Sequence, residues 1–403
     1  MRATLREARS FRHGRLRVLH DPIPGPLTAI AVAVAAGSRF DGRHPGLAHM
    51  GEHMIFQGTQ RFDQAELNRR AAHLGGDVDA ETGHDDMTLT IEVFNEDVEP
   101  ALELLAELLF RSTVPAERFA KERRVIADEI RARCDDPANV AYERAWARFF
   151  DPALGHPICG TIASLRAMRP STVRHFLRRH LVPSNMVLCA AGGISARALG
   201  HALDRAFVAP RSPPRPRMQR TRIVATGRAG FRRHDSSQAQ LIRLATAPHQ
   251  PRAQLALGLA LDVVGADPDA RLFQELRERL GLGYDVSADL EIGIGWATTV
   301  VTATCAHEDT GRLRTAVARI CGDAGAGFDP DEVVRARRKV RHRLARLADS
   351  RMDRALTHAA RALTGRPSIS TVAPGLDRLS HDDVEAAWQA HLRAPTLTAV
   401  LSA

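Results

Sequence analysis

Two histidines and a glutamate in one short segment could support metal-assisted hydrolysis. The segment reads HMGEH, with His49 and His53 four residues apart and Glu52 directly before the second histidine. On a helix, residues four apart project from one face, so both imidazoles can reach a single zinc ion. Glu52 can polarise a zinc-bound water and accept its proton. HxxEH is the inverted form of the zinc-binding pattern HExxH, and the alternative interpretation is two surface histidines on a helix turn.

A catalytic zinc site needs three protein ligands and an open position, so a third ligand must come from another element. The segment KERRVIADEIRARC offers Glu122 and Glu129, seven residues apart on one predicted helix face, along with Asp128. Three apolar residues predict that this helix packs into the core as a stiff mount: Val125, Ile126 and Ile130. The alternative is that the carboxylates are solvated, as most helix carboxylates are.

The first half of the chain predicts a sheet with several helices. The run AIAVAVA at 29–35 is apolar throughout and predicts a strand buried on both faces, whereas MTLTIEVF at 87–94 alternates. Asp63 can cap a helix that stops at Gly75 and Gly76. The remaining predicted elements are a strand at 16–19, a helix from about 47, and amphipathic helices at 97–109 and 116–133.

The second half predicts the same order of elements, with strands at 240–244 and 296–305 and helices at 254–264 and 271–280. Between the halves, residues 209–220 contain four prolines and four arginines, a composition that predicts an extended linker. We therefore predict an N-terminal domain at 1–208, a linker at 209–221 and a C-terminal domain at 222–403. The fold class is α+β, each domain a mostly antiparallel sheet covered by helices on one side.

Several of these segments resemble the insulinase/pitrilysin family of zinc peptidases, in particular its bacterial and mitochondrial processing peptidase branch. The resemblance is carried by the segments AGSRFD, GLAHMGEHMIFQGT, HLGGDVDAETGHDDMTL, ALELLAELL, ERRVIADEI, GHPICGTIASL and, in the second half, LRERLGLGYDVSA. It therefore extends through most of the chain.

The resemblance implies a role for each matching residue of a zinc-dependent endopeptidase. One zinc ion would be bound by His49, His53 and Glu129, and Glu52 would be the general base. Glu122 would not bind the metal but would orient the ligand residues. Arg277 and Tyr284 would hold the substrate backbone and the scissile carbonyl. A peptide substrate would pair with an edge strand made by Asp79, Ala80, Glu81 and Thr82.

The resemblance also implies an assembly, because the family encloses its substrate in a clamshell of four α+β units and this chain would supply half of one. The partner would be a second copy in a homodimer, or a related chain in a heterodimer. The alternative function is a non-catalytic scaffold or partner subunit of a heterodimeric peptidase. The substrate would be a flexible oligopeptide or a leader or targeting peptide.

Two positions depart from the family pattern. Gly51 stands inside the zinc helix where the family usually has an apolar side chain, and it either loosens the helix or makes room for a larger neighbour. In the edge strand, Asp79 and Glu81 introduce acidic groups. We expect them to face the cleft and to favour basic residues near the cleaved bond.

The amino-acid composition limits the other possible functions and locations of the protein. The net charge is +9, but there are only two tyrosines and no stretch that alternates basic and aromatic residues, so we expect no specific nucleic-acid binding. The N-terminus lacks the apolar stretch of a secretory signal and no apolar run reaches about 20 residues, which predicts a cytoplasmic protein without a membrane span. The five scattered cysteines are predicted to be small buried hydrophobes: Cys134, Cys159, Cys189, Cys305 and Cys321.

Overall fold

The structure is a computed structural model that describes residues 7–208, 221–232, 237–265, 267–283, 285–322 and 327–402. The strands are β1 (Arg9–His13), β2 (Leu16–Pro22), β3 (Leu27–Val34), β4 (Asp79–Thr82), β5 (Met87–Phe94), β6 (Met186–Gly192), β7 (Gly227–Arg232), β8 (Gln238–Thr246), β9 (Val286–Gly293), β10 (Trp296–Ala306) and β11 (Thr396–Ser402).

The helices are α1 (Leu47–Ile55), α2 (Gln64–His73), α3 (Val98–Arg111), α4 (Ala116–Asp135), α5 (Pro137–Phe149), α6 (Pro152–Gly155), α7 (Ile162–Ala167), α8 (Pro170–His180), α9 (Ala196–Ala206), α10 (Pro251–Val264), α11 (Arg271–Phe273), α12 (Thr310–Ile320), α13 (Pro330–Asp349), α14 (Arg351–Leu363), α15 (Val372–Asp377) and α16 (His381–Leu392).

Contacts within the described residues divide the chain into two compact units that are not continuous in sequence. The first unit comprises residues 7–131, 156–208 and 345–370, and the second comprises 132–155, 221–344 and 371–402. Each half of the chain thus gives one segment to the other unit: α5 and α6 pack in the second unit and α14 in the first. The predicted linker at 209–221 lies, apart from its last residue, outside the described residues.

The first unit is built on a six-stranded sheet in the order β1-β2-β6-β3-β5-β4. All neighbouring strands are antiparallel except β2 and β6, which run parallel. One face of β3 contributes Ile30, Val32 and Val34 to a large apolar core that also contains buried residues of α1, α3 and α4. This core holds the elements that bear the histidine and glutamate motifs.

The other face of this sheet is covered by α14, so the prediction of helices on one side only is wrong for this unit. Helix α14 packs on β3 and β6, where alternate residues of β3 are alanines that leave room for it. Arg354 of α14 donates two hydrogen bonds to Asp21 of β2, at 2.6 and 2.7 Å, and both side chains are buried. The packing of α14 on this sheet was not predicted, because its partner strands lie more than 150 positions away in the chain.

The second unit is built on a five-stranded sheet in the order β7-β11-β8-β10-β9, in which only β7 and β11 run parallel. Helices α10, α12 and α16 contribute to the core on one face. On the other face, Trp146 and Phe149 of α5 pack with buried residues of β8, β10 and β11, so the prediction of helices on one side only is wrong for this unit as well. This aromatic cluster explains why α5 leaves its own half of the chain. The predicted fold class, two similar α+β units with mostly antiparallel sheets, is confirmed.

Most predicted elements occur within a few residues of their expected bounds. Asp63 caps α2 by accepting a hydrogen bond from the Glu66 amide, and the chain leaves that helix through Gly75 at φ 71°. The exception is the helix predicted at 271–280, which is α-helical only over Arg271–Phe273 and continues as a π-helix over Gln274–Arg279. The Leu280 amide accordingly bonds to the Glu275 carbonyl, five residues earlier.

Candidate zinc site

Helix α1 carries both histidines of the inverted motif and is anchored through its apolar face. Met50, Met54 and Ile55 are fully buried, whereas His49 and His53 are only partly so. Asp41 accepts hydrogen bonds at 2.7 Å from the amides of Gly46 and Ala48, which supplies partners for N–H groups at the start of the helix. Burial raises the pKa of Asp41 well above its ordinary value, and these amide donors offset part of that rise. Asp41 was not predicted as a site residue: it ends the segment AGSRFD, whose residues were assigned no role, and it lies outside the HMGEH motif.

Helix α4 brings its two glutamates to the histidines. Ile126 and Ile130 are buried as predicted, but Val125 is 40% exposed, so the predicted core contact of Val125 is wrong. The Oε2 atom of Glu129 lies 3.7 Å from Nε2 of His49 and 3.6 Å from Nε2 of His53. One ligand atom from each of these three residues lies within 4.8 Å of the other two.

This donor set fits a zinc ion. Zinc in a tetrahedral site with ligand distances of about 2.0–2.1 Å holds its donor atoms about 3.3–3.4 Å apart. The two nitrogen-to-oxygen distances, 3.7 and 3.6 Å, are only slightly longer, and all three donor atoms lie within 4.8 Å of one another, so side-chain rotations would bring the set around one ion. Two imidazoles and one carboxylate are also ligand types that zinc accepts.

The buried carboxylate of Glu122 contacts His53 at Nδ1, the ring nitrogen that does not face Glu129. Its Oε2 lies 3.0 Å from Nδ1 of His53, and the Glu122 side chain is 10% exposed. A carboxylate there accepts a hydrogen bond from Nδ1–H and leaves Nε2 deprotonated toward the proposed metal position. Asp128, the third carboxylate considered from the sequence, instead pairs with Arg131 on the exposed side of α4.

Glu52 lies on α1 beside the cluster and is held by Thr82 of the edge strand, whose hydroxyl donates to Oε2 of Glu52. Burial raises the pKa of Glu52 above its ordinary value, and Thr82 and His53 offset part of the rise. Asp79 and Glu129 add like charge that raises this pKa further. A carboxyl group with a raised pKa is better suited to exchange protons near neutral pH.

The two acidic residues predicted in the edge strand do not lie on the face of the sheet that carries Thr82. Within the described residues β4 pairs with β5 alone, so it is an edge strand. Thr82 is buried and contacts Glu52, whereas Asp79 and Glu81 are exposed and, by strand alternation, both project from the face of the sheet opposite to Thr82. Glu81 adds to the charge that raises the pKa of Asp86 to about 6, where burial is the main cause. Of the two acidic groups, only Asp79 acts on Glu52.

Two further observations concern residues next to the cluster. Gly51 lies against α8: a Cβ atom there would sit 3.1 Å from Cδ2 of Leu177, so the glycine makes room for its neighbour.

The Cys159 thiol lies 3.9 Å from Nε2 of His49 and is partly exposed, and Cys134 is exposed as well. The prediction of small buried hydrophobes therefore holds for Cys189, Cys305 and Cys321 only.

The arginine predicted to bind substrate belongs to the second unit. Arg277 is exposed on the π-helical turn, with its guanidinium carbon 5.3 Å from the Phe273 ring centroid. Tyr284 lies outside the described residues, so its role stays a prediction.

Known family models match both halves of the chain. The model for insulinase (peptidase family M16) matches residues 17–162, and the model for the peptidase M16 inactive domain matches residues 168–340. The histidines and glutamates described above all lie in the segment matched by the first model. The chain belongs to the insulinase, or M16, peptidase family.

Curated relatives and solved structures agree with this assignment. An uncharacterized zinc protease of Streptomyces coelicolor is 28% identical over 284 residues, which are 68% of this chain and 62% of that protein. One of Mycobacterium tuberculosis is 28% identical over 314 residues, 76% of this chain and 72% of that protein. The crystal structure of a peptidase M16 inactive domain from Pseudomonas fluorescens superimposes with a TM-score of 0.91 at 18% identity, covering 98% of both chains. At that identity, the superposition shows the shared fold.

No helix among the described residues has the length and apolar character needed to cross a bilayer. The cytoplasmic location stays a prediction.

Proposed function

We propose that this chain is a zinc-dependent endopeptidase that hydrolyses flexible peptides. The observation that carries the proposal is the convergence of His49, His53 and Glu129, contributed by two separate helices, with the carboxyl group of Glu52 next to them. The relatives named zinc proteases support the choice of metal.

Each residue of the site would have a distinct task. His49, His53 and Glu129 would hold one zinc ion per chain, which when bound polarises the scissile carbonyl and makes water more acidic. Glu52 would take the proton of the attacking water and pass it to the leaving amine. The hydrogen bond from Thr82 would orient the Glu52 carboxyl group for both transfers.

The free edge of β4 would bind the substrate as an added strand. Backbone hydrogen bonds to an extended peptide supply affinity with little demand on its sequence, which suits a peptidase for varied flexible chains. Of the two acidic residues of the edge strand, Asp79 is the one whose charge contributes to the raised pKa of Glu52, so a preference for basic residues near the cleaved bond would depend on Asp79. Equal cleavage of matched acidic and basic peptides would refute that preference.

Arg277 and Tyr284 would hold the scissile carbonyl, either within one chain or across a dimer. We propose a homodimer, with a heterodimer as the alternative. Mixing a Glu52→Gln chain with a Tyr284→Phe chain tests whether the two motifs act across subunits. Recovery of activity in the mixture is the expected result, and complete absence of recovery would refute a site shared between chains.

The test of the proposed activity is cleavage of a mixed peptide library, read by mass spectrometry with and without a chelator. Glu52→Gln should lower the rate by about 10²–10⁴-fold without changing the zinc content, because a general base contributes about that much. Glu117→Gln is the matched control, since Glu117 is an exposed glutamate on α4 outside the cluster. Chelator-insensitive cleavage, or full activity of Glu52→Gln, would refute the proposal.

The second candidate is a non-catalytic partner subunit. It draws on the description of the model matching residues 168–340 as an inactive domain. That subunit would need no zinc, so purified chain that neither contains nor takes up zinc would favour it over the peptidase.

A further inference from the structure

A cleft of about 460 Å³ lies between α4 and α7 in the first unit, outside the candidate zinc site. Its floor is apolar, formed by Ala127, Ile162 and the buried side chain of Leu165. Its rim is strongly basic, with four arginines around it: Arg123, Arg124, Arg131 and Arg166. The single acidic residue in the lining is Asp128.

Three of these four arginines pair with no carboxylate in the part of the chain that the structure describes. Arg131 forms an ion pair with Asp128. Arg123, Arg124 and Arg166 are exposed, and none of them forms a hydrogen bond or ion pair with another residue that the structure describes. The lining therefore carries a net charge of about +3 over an apolar floor, in a space large enough for a small ligand.

A second cleft, in the other unit, is also lined by arginines, but there each arginine is paired with a glutamate. That cleft measures about 520 Å³ and is lined by Arg271, Arg279 and Arg319. Here Arg279 and Arg319 both pair with Glu275, and Arg271 pairs with Glu332. Unpaired arginines around a cleft are thus not a general consequence of the basic composition of this chain.

We propose that the cleft between α4 and α7 is a binding site for a small polyphosphate anion. Guanidinium groups form paired, charge-assisted hydrogen bonds with phosphate oxygens, and several arginines around one cavity can contact successive phosphates. The apolar floor would contact an uncharged organic part attached to the phosphates. The site does not depend on zinc or on peptidase activity.

The test is isothermal titration of the full chain with inorganic triphosphate, after dialysis against a chelator so that phosphate cannot bind metal. The double variant Arg124→Gln/Arg166→Gln should bind triphosphate at least about tenfold more weakly, because it loses two charge-assisted contacts. The control is Arg279→Gln/Arg319→Gln, which removes the same charge from the paired cleft and should bind like the original chain. All four side chains are exposed, so both variants should fold.

Two further titrations, with ATP and with adenosine, compare the contributions of the phosphate chain and of the organic part to binding. ATP should bind at least as tightly as triphosphate, and adenosine should bind far more weakly than either. Equal weakening in the two double variants would overturn the proposal, because it would show attraction to the overall charge of +9 instead of a site. Absence of triphosphate binding to the original chain would overturn it as well.

Discussion

Replacing Glu122 with glutamine should weaken zinc binding although Glu122 is not among the three proposed ligands. Glu122 is buried, and its carboxylate lies 3.0 Å from Nδ1 of His53. The charge stabilises the proton on Nδ1 and so keeps Nε2 available as a metal donor. Glutamine preserves the shape of the side chain but removes the charge. Loss of such a supporting contact typically lowers metal affinity about 10–100-fold, which corresponds to about 1.4–2.7 kcal/mol.

The measurement is zinc affinity by competition with a chromogenic chelator, compared among the original chain, Glu122→Gln and Glu117→Gln. Glu117 lies on the same helix but is exposed, so its variant should bind zinc normally. The unfolding temperature of each metal-free variant provides the control for folding. If Glu122→Gln binds zinc within twofold of the original chain, Glu122 does not orient His53, and the reasoning fails.

Three other outcomes follow from contacts in the first unit. Gly51→Leu should lower the free energy of unfolding by about 1–3 kcal/mol, measured in urea, because the new side chain would meet Leu177 of α8 in a packed interface; unchanged stability would contradict that contact. Arg354→Met should cost about 3–5 kcal/mol at neutral pH, because the buried Asp21 carboxylate loses its arginine and keeps only the contact with His358. Burial by itself would raise the pKa of Asp21, but His358 and Arg354 outweigh it and hold this pKa below its ordinary value. The stabilisation is therefore present above the unfolded pKa of about 3.9 and is lost as pH falls through the folded pKa, so the deficit of the variant should shrink in acid; a deficit independent of pH would argue against this ion pair. Zinc at 100 times its dissociation constant should stabilise the original chain by about 2.7 kcal/mol in thermal unfolding, and His53→Ala should remove most of that gain; equal stabilisation of both would place the metal elsewhere.

Predictions from the sequence were most accurate where the signal is local. The spacing of His49 and His53 depends only on one turn of helix, and the cap at Asp63 depends on four consecutive residues. The apolar run in β3 and the alternation in β5 likewise depend on neighbouring residues. Such patterns are fixed by backbone periodicity, so they can be read without knowing what packs against them.

Predictions failed where the outcome depends on distant packing. Val125 has an apolar side chain in an amphipathic helix but is exposed, and Asp79 and Glu81 lie on the face of the sheet opposite to Thr82. The π-helical turn at Arg277 was also not predicted, because π-helices are rare and occur mostly as single turns within α-helices.

The amino-acid sequence was enough to identify the zinc-binding types of side chain, their spacing on one helix and, through the family resemblance, the choice of Glu129 over its neighbours. It took the packing of the folded chain to bring α4 close enough for Glu129 to reach both histidines, Glu122 to His53, and Thr82 to Glu52. That packing also decided that α5 and α14 exchange between the two units. The reason is physical: helical spacing depends on the nearest few residues, whereas the meeting of two helices depends on the apolar surfaces that the whole unit buries together.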